Sequence, residues 1–237
     1  MCARADAAYV QARLQGRHAA RPDDAAWRVL EASRTSAHYL TLLRGGALAP
    51  WIEGLDAELD VHRLEGELRA RWHRYVGDVA GWQAPRWRAA TRWFGLLPEL
   101  PRWAAWRRGG AGAVPAAEPW AADVQAWFAA AALDDDLARR WLAEWQRRLP
   151  AEARRDEDVL RPAQWLLPGL ADAGANGRAA ATSHDPLHAA LRRLFRRRAT
   201  TAAAVYAHLA LVHLDLERLR GGLVTRRLLE HGASPAA

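Results

Sequence analysis

Apolar residues recur at three- and four-residue intervals along almost the whole chain, the spacing of one face of an α-helix. Strict alternation of apolar and polar residues is absent, and valine, isoleucine and threonine, which favour strands, are scarce. The clearest example is "VYAHLALVHLDLERLRGG", Val205 to Gly222. Val205, Leu209, Val212, Leu216, Leu219 and Leu223 follow a 4-3-4-3-4 spacing and form one continuous stripe. At about 100° per residue, His208 and Asp215 flank that stripe on one side, and His213, Glu217 and Arg220 on the other.

The same periodicity predicts a first helix over 5–19 and a second from Pro22, whose following aspartates suit a helix N-terminus. A third, "TSAHYLTLLRGG", stops at Gly45 and Gly46. A long helix over 56–81 is predicted to break near Gly77 or Gly81, and Pro85 and Pro101 each open a shorter one. The glycine- and proline-rich piece 109–119 marks an internal boundary. Helices "WAADVQAWFAAAAL" and "DDDLARRWLAEWQRRLP" follow, then a second linker, 168–184, then "DPLHAALRRLFRRR" and the long closing helix. The expectation is an all-α multi-helix bundle. It divides into an N-terminal region 1–108, a tryptophan-rich centre 120–167 and C-terminal helices 185–237.

Composition sharpens this picture. All 34 basic residues are arginine, isoleucine and asparagine each occur once (Ile52, Asn176), and alanine is abundant, the bias of a GC-rich coding sequence. An arginine therefore does not by that fact imply forked recognition, because no lysine competes with it. The single cysteine, Cys2, excludes an internal disulfide and fits a reducing cytoplasm. The N-terminus lacks the apolar segment of a signal peptide, and no run approaches the ~18 apolar residues of a membrane span. A net charge of +7 points to an acidic partner without choosing among nucleic acid, anionic lipid and protein.

Candidate chemistry is sparse. His213 and Glu217 have an i,i+4 spacing that could hold a metal, but two ligands do not make a site, and Glu217 to Arg220 suits an ion pair. Glu58, His62 and Glu65 share a helical face, yet the Glu-x-x-His pairs of di-metal bundles are missing. "GAGAVP" follows no strand, and Ser33, Ser36, Ser183 and Ser234 lack the context of a nucleophile. No catalytic residue, cofactor or metal site is expected. In "LRRLFRRR", Leu187, Leu191, Leu194 and Phe195 supply a buried face. Arg192, Arg193, Arg196, Arg197 and Arg198 then face outward, available to a partner. With Trp87, Arg88, Arg92 and Trp93 upstream, a nucleic-acid interface is one alternative function; a metalloprotein built on Glu58, His62 and Glu65 is another. Trp87, Trp93, Trp103, Trp106, Trp141 and Trp145 recur at near-helical spacing and read as core and helix-interface fillers.

The chain ends resemble a known family. Tyr9, Ala12 and Arg13 in "YVQAR" match an aromatic-x-x-Ala-Arg helix that opens the rotor-cap family of A/V-type ATP synthases, the C-type component of A-type enzymes and the d-type component of V-ATPases. The closing helix is similar to that family's terminal Glu-x-x-Asn-hydrophobic-Arg signature. Asp215 stands at the acidic position, Arg218 at the asparagine position and Arg220 at the arginine, with Glu217 between them. The resemblance covers 5–50 and 185–230 in a chain shorter than is usual for the family, and the tryptophan-rich centre has no counterpart in its pattern. It implies a pseudo-threefold helical funnel, here trimmed, with no catalytic residues. Such a protein sits in the cytoplasm against the membrane and links the proteolipid rotor ring to the central-stalk subunits of an ion-translocating ATPase. Tyr9, Arg13, Asp215 and Arg220 would then be structural, drawing first and last helices together, with Asp215 expected to pair with an arginine of the N-terminal half, Arg13 being the first choice.

Overall fold

A computed structural model describes residues 2–56, 60–109, 120–130, 136–176 and 185–232. Among these the fold is all-α, with no strand. Helices α1 (Cys2–Ala19), α2 (Asp24–Ala32), α3 (Ser36–Arg44) and the single turn α4 (Ala49–Ile52) lead into α5 (Val61–Trp82). Next come α6 (Pro85–Phe94), α7 (Leu100–Arg108), α8 (Ala121–Ala129), α9 (Leu137–Arg148) and α10 (Glu157–Asn176). The chain closes with α11 (Asp185–Arg197) and α12 (Ala202–Gly232).

Local chemistry sets most of the helix starts. Asp23, Thr35, Asp60 and Asp136 each accept from a backbone N–H of the first turn, satisfying donors that have no partner inside the helix. Pro85 sits in the first turn of α6, where its missing N–H costs nothing. Two expectations are corrected here. α5 runs unbroken through Gly77 and Gly81, because packing of Trp72, Tyr75, Val76 and Val79 outweighs the ~1 kcal/mol helix cost of a glycine. The second linker begins inside a helix: α10 continues to Asn176, carrying Pro162 and Pro168 within it. The rest of that linker, 177–184, and most of the first, 110–119, lie outside the described residues.

Two unequal cores share α5 and α12. The smaller joins Trp27, Tyr39, Leu43, Ile52 and Leu68 to Leu219 and Leu223. The larger takes in α1 and the helices from α5 to α12, and tryptophans dominate its middle. Trp141 and Trp145 stack at 5.9 Å, Trp145 meets Tyr206 edge-on at 4.9 Å, and Trp103 touches Trp120 and Trp127 at 5.4 Å each. Three core tryptophans also use their polar edges: Trp72, Trp93 and Trp145 donate Nε1–H to the carbonyls of Gly95, Trp141 and Ala90. Trp93, Trp103, Trp141 and Trp145 are buried, while Trp87 and Trp106 lie half-buried against the same core.

The axis of the molecule is α12, 31 residues and roughly 46 Å long. It packs against α1, α3, α5, α10 and α11. From Ala203 to Leu216 every side chain is buried, on all sides of the helix. The leucine and valine stripe is therefore one part of a fully enclosed circumference. Ala203, Ala207 and Ala210, spaced 4-3, supply small surfaces where neighbouring helices approach closely.

Candidate functional site

Enclosing α12 puts its polar residues inside the protein, where each needs a partner. Asp215 is 2% exposed. Its Oδ2 accepts from Arg21 Nε at 2.6 Å, and Arg21 also donates to the carbonyl of Leu211 at 3.3 Å. Arg21 lies just past the end of α1, held by the turn into Pro22. The Asp215 Oδ1 has no hydrogen-bond partner among the described residues. Burial pushes the Asp215 carboxyl above its ordinary range, although the Arg21 guanidinium pulls the other way.

About two turns earlier, His208 is completely buried and lies 2.6 Å from the Tyr75 hydroxyl through Nε2. Burial, then the charge of Arg21, holds His208 well below the usual histidine range, so it is neutral. His18 stacks on Phe195 at 4.1 Å, and burial followed by Arg21 lowers it to about 4. The Tyr75 hydroxyl is pushed up to about 12, chiefly by burial. Two neutral imidazoles, a phenol that stays protonated and a half-satisfied ion pair form a polar seam along the junction of α1, α5 and α12. A cavity of about 310 Å³ adjoins the seam, lined by Arg17, Arg21, Arg71, Arg74, Tyr75 and Asp215 among others. The seam's groups hold helices together by hydrogen bonds and charge.

The arginine that meets Asp215 does come from the N-terminal half, but the choice of Arg13 is corrected, since Arg13 does not reach it. Arg13 is exposed on α1 and lies over the rings of Tyr9 and Trp82, at 5.0 and 5.3 Å. Arg21, about two turns on and just past the end of α1, takes that place. Tyr9 is 50% exposed and Ala12 is exposed, so neither packs between first and last helices. Arg220 bridges Glu217 at 2.7 Å and Glu65 of α5 at 3.0 Å, and the nearby Glu217 holds its guanidinium above its ordinary value. His213 is buried beside Trp72 at 6.0 Å. Of the metal alternative, Glu58 lies outside the described residues, His62 is exposed and Glu65 faces the arginines Arg69 and Arg220. Among the described residues no group of three or more His, Cys, Asp or Glu side chains is gathered as a metal would require.

The basic run of α11 divides in two. Arg192 pairs with Asp24 at 3.2 Å. Arg197, Arg198 and Arg161 converge on Asp158, which is only 5% exposed; burial would raise its carboxyl, but the three guanidiniums, Arg198 foremost, hold it below the usual range. Arg192, Arg197 and Arg198, three of the five anticipated partner contacts, therefore already serve the fold. Arg193 and Arg196 make no hydrogen bond or ion pair among the described residues. With Trp165 they line an open groove of about 670 Å³ between α10 and α11.

Two further residues were invisible to spacing arguments. Arg226, 8% exposed, donates to the carbonyls of Leu30, Glu31 and Ser33 and to that of Gly222, and lies 4.0 Å over the Tyr39 ring. It caps the C-terminus of α2 from outside that helix. Glu99, 1% exposed, is met by His73 at 3.1 Å and Arg102 at 3.4 Å.

No family model, curated protein or solved structure matches the chain.

Proposed function

We propose that the protein is a non-catalytic coupling component of a V/A-type ion-translocating ATPase, joining the central stalk to the membrane rotor ring and passing torque between them. The resemblance of the chain ends to the rotor-cap family suggests the assembly. One structural observation supports the mechanical part: a single 31-residue helix, enclosed on every side over its first half, is locked to α1 by Arg21 and Asp215. A body passing torque must not yield internally, and close-packed interiors are stiff. Interlocked tryptophans whose ring edges are hydrogen-bonded to backbone carbonyls add to that stiffness, because both orientation and position of each ring are set. No described helix is long and apolar enough to cross a membrane, so contact with a ring would run through its protruding loops.

The test is capture of the tagged, intact chain from native membranes after mild solubilisation. Ring-forming proteolipid and nucleotide-binding subunits are expected to co-purify in constant ratio. A chain that purifies alone, or with neither of them, overturns this function.

A further inference from the structure

Thirteen tryptophans are present, and Trp165 is the exposed one, at 37%. Arginine covers several of the others. Trp27, Trp82, Trp93, Trp106 and Trp127 each have a guanidinium over the ring at 4.2 to 5.8 Å. Trp165 has no guanidinium over its ring among the described residues, although arginines line the groove around it. Arg161 and Arg197 are drawn off to Glu157 and Asp158, and Arg193 and Arg196 stand without a carboxylate among the described residues. Among the described residues the groove thus offers a partly exposed aromatic ring beside arginines with no carboxylate partner, which are forked phosphate donors. Arg193, Arg196 and Arg197 are spaced i, i+3, i+4, so they form one cationic face of α11, about 5–6 Å between neighbours. Asp158 holds Arg197 and Arg161 in place, reducing the ordering cost of binding.

We propose that this groove binds a nucleotide unit, its base stacked on Trp165 and its phosphate held by Arg193 and Arg196. A purely anionic ligand would use the arginines and leave the ring idle, and a purely apolar one would strand the charges. A nucleotide uses both, the combination by which single strands are held without sequence readout. The volume of about 670 Å³ has room for more than a phosphate. This inference does not depend on the coupling function.

The probe is a fluorescently labelled oligothymidylate of eight nucleotides, followed by anisotropy at low salt. Its competitors are an unlabelled oligothymidylate, an abasic oligomer with the same phosphates, and ATP. The base-bearing strand is expected to compete about tenfold better than the abasic one. Trp165→Ala should abolish that preference while Trp165→Phe keeps most of it. Arg193→Ala and Arg196→Ala should weaken both strands and flatten the salt slope by about 0.7 each. Displacement by ATP at equal nucleotide concentration identifies free nucleotide as the natural source, and its failure to displace identifies a strand. Equal affinity for abasic and base-bearing strands, unchanged binding by a folded Trp165→Ala protein, or no binding of either strand overturns the assignment. All three positions are at the surface, so a melting curve suffices to show that each variant is folded.

Discussion

Arg21, at the end of the first helix, donates to Asp215 in the last helix at 2.6 Å, across 194 positions of the chain. Their side chains are 7% and 3% exposed. A pair this buried stabilises less than its short distance suggests, since removing both charges from water offsets much of their attraction. Its effect is instead asymmetric: each charge is tolerable only while the other is present.

Asp215→Ala is therefore expected to cost about 3–5 kcal/mol in urea unfolding, because it strands a buried guanidinium. Arg13→Ala, at an exposed position, should cost less than about 1 kcal/mol. A double-mutant cycle should give coupling of about 1–3 kcal/mol for Arg21 with Asp215 and none beyond about 0.5 kcal/mol for Arg13 with Asp215. Replacing Arg21 and Asp215 together by Met and Leu should restore most of the stability lost on removing either alone.

The buried histidines make stability depend on pH. His208 is neutral in the folded protein, its affinity for protons lowered by burial, and titrates near 6.5 when unfolded. His18, lowered to about 4, acts in the same direction. Below pH 6.5 the unfolded chain binds more protons, so stability is present above that value and is lost as pH falls toward 4. The loss is up to about 1.4 kcal/mol per pH unit for a histidine kept fully neutral. Asp215, shifted upward, works oppositely: its contribution is present below about 3.8 and fades as pH rises through its folded value. Between about pH 7.5 and pH 5 the urea midpoint of the native protein should fall, and that of His208→Gln should fall less.

Arg226→Ala removes the donor that satisfies the carbonyls of Leu30, Glu31 and Ser33. Unfolding should become easier by about 2–4 kcal/mol, a drop of roughly 5–10 °C in melting temperature. Arg226→Lys should recover little of it, since an ammonium cannot fork across several carbonyls. Recovery to within a degree would show that charge alone is what this position supplies.

Glycines within and beside α5 should respond in opposite ways. A Cβ at Gly77 meets nothing within 4 Å, so Gly77→Ala should stabilise the helix by about 0.5–1 kcal/mol. A Cβ at Gly95 would come to 2.8 Å from Val76 Cγ1 and 3.1 Å from the carbonyl of Arg92. Val76 is buried and stiff at χ1, so Gly95→Ala should cost about 1–3 kcal/mol. Thermal unfolding of the two variants should shift in opposite directions.

Much of this fold was legible before any coordinates. Apolar spacing, proline at a helix start and aspartate at a cap act within one or two turns, so the helical segments, the starts near Asp23 and Pro85, and the burial of Trp93, Trp103, Trp141 and Trp145 follow from neighbours in the chain. The continuity of α5 through Gly77 did not, because propensity is weak and the packing that overrides it comes from α1, α6 and α12.

The polar seam lay beyond such reasoning. On a helical wheel Asp215 and His208 sit at the edge of an apolar stripe, where solvent is the default; only when helices close around α12 does that edge become interior. Which arginine answers Asp215 depends on the direction in which α1 crosses α12, and Arg13 and Arg21 are equally basic on paper. Trp165 is likewise one tryptophan among thirteen in the sequence, and only the assembled α10 and α11 leave its ring partly exposed. Helices belong to the local chain, while the partners of buried charges belong to the crossings between helices, which form only once desolvation and packing are settled together.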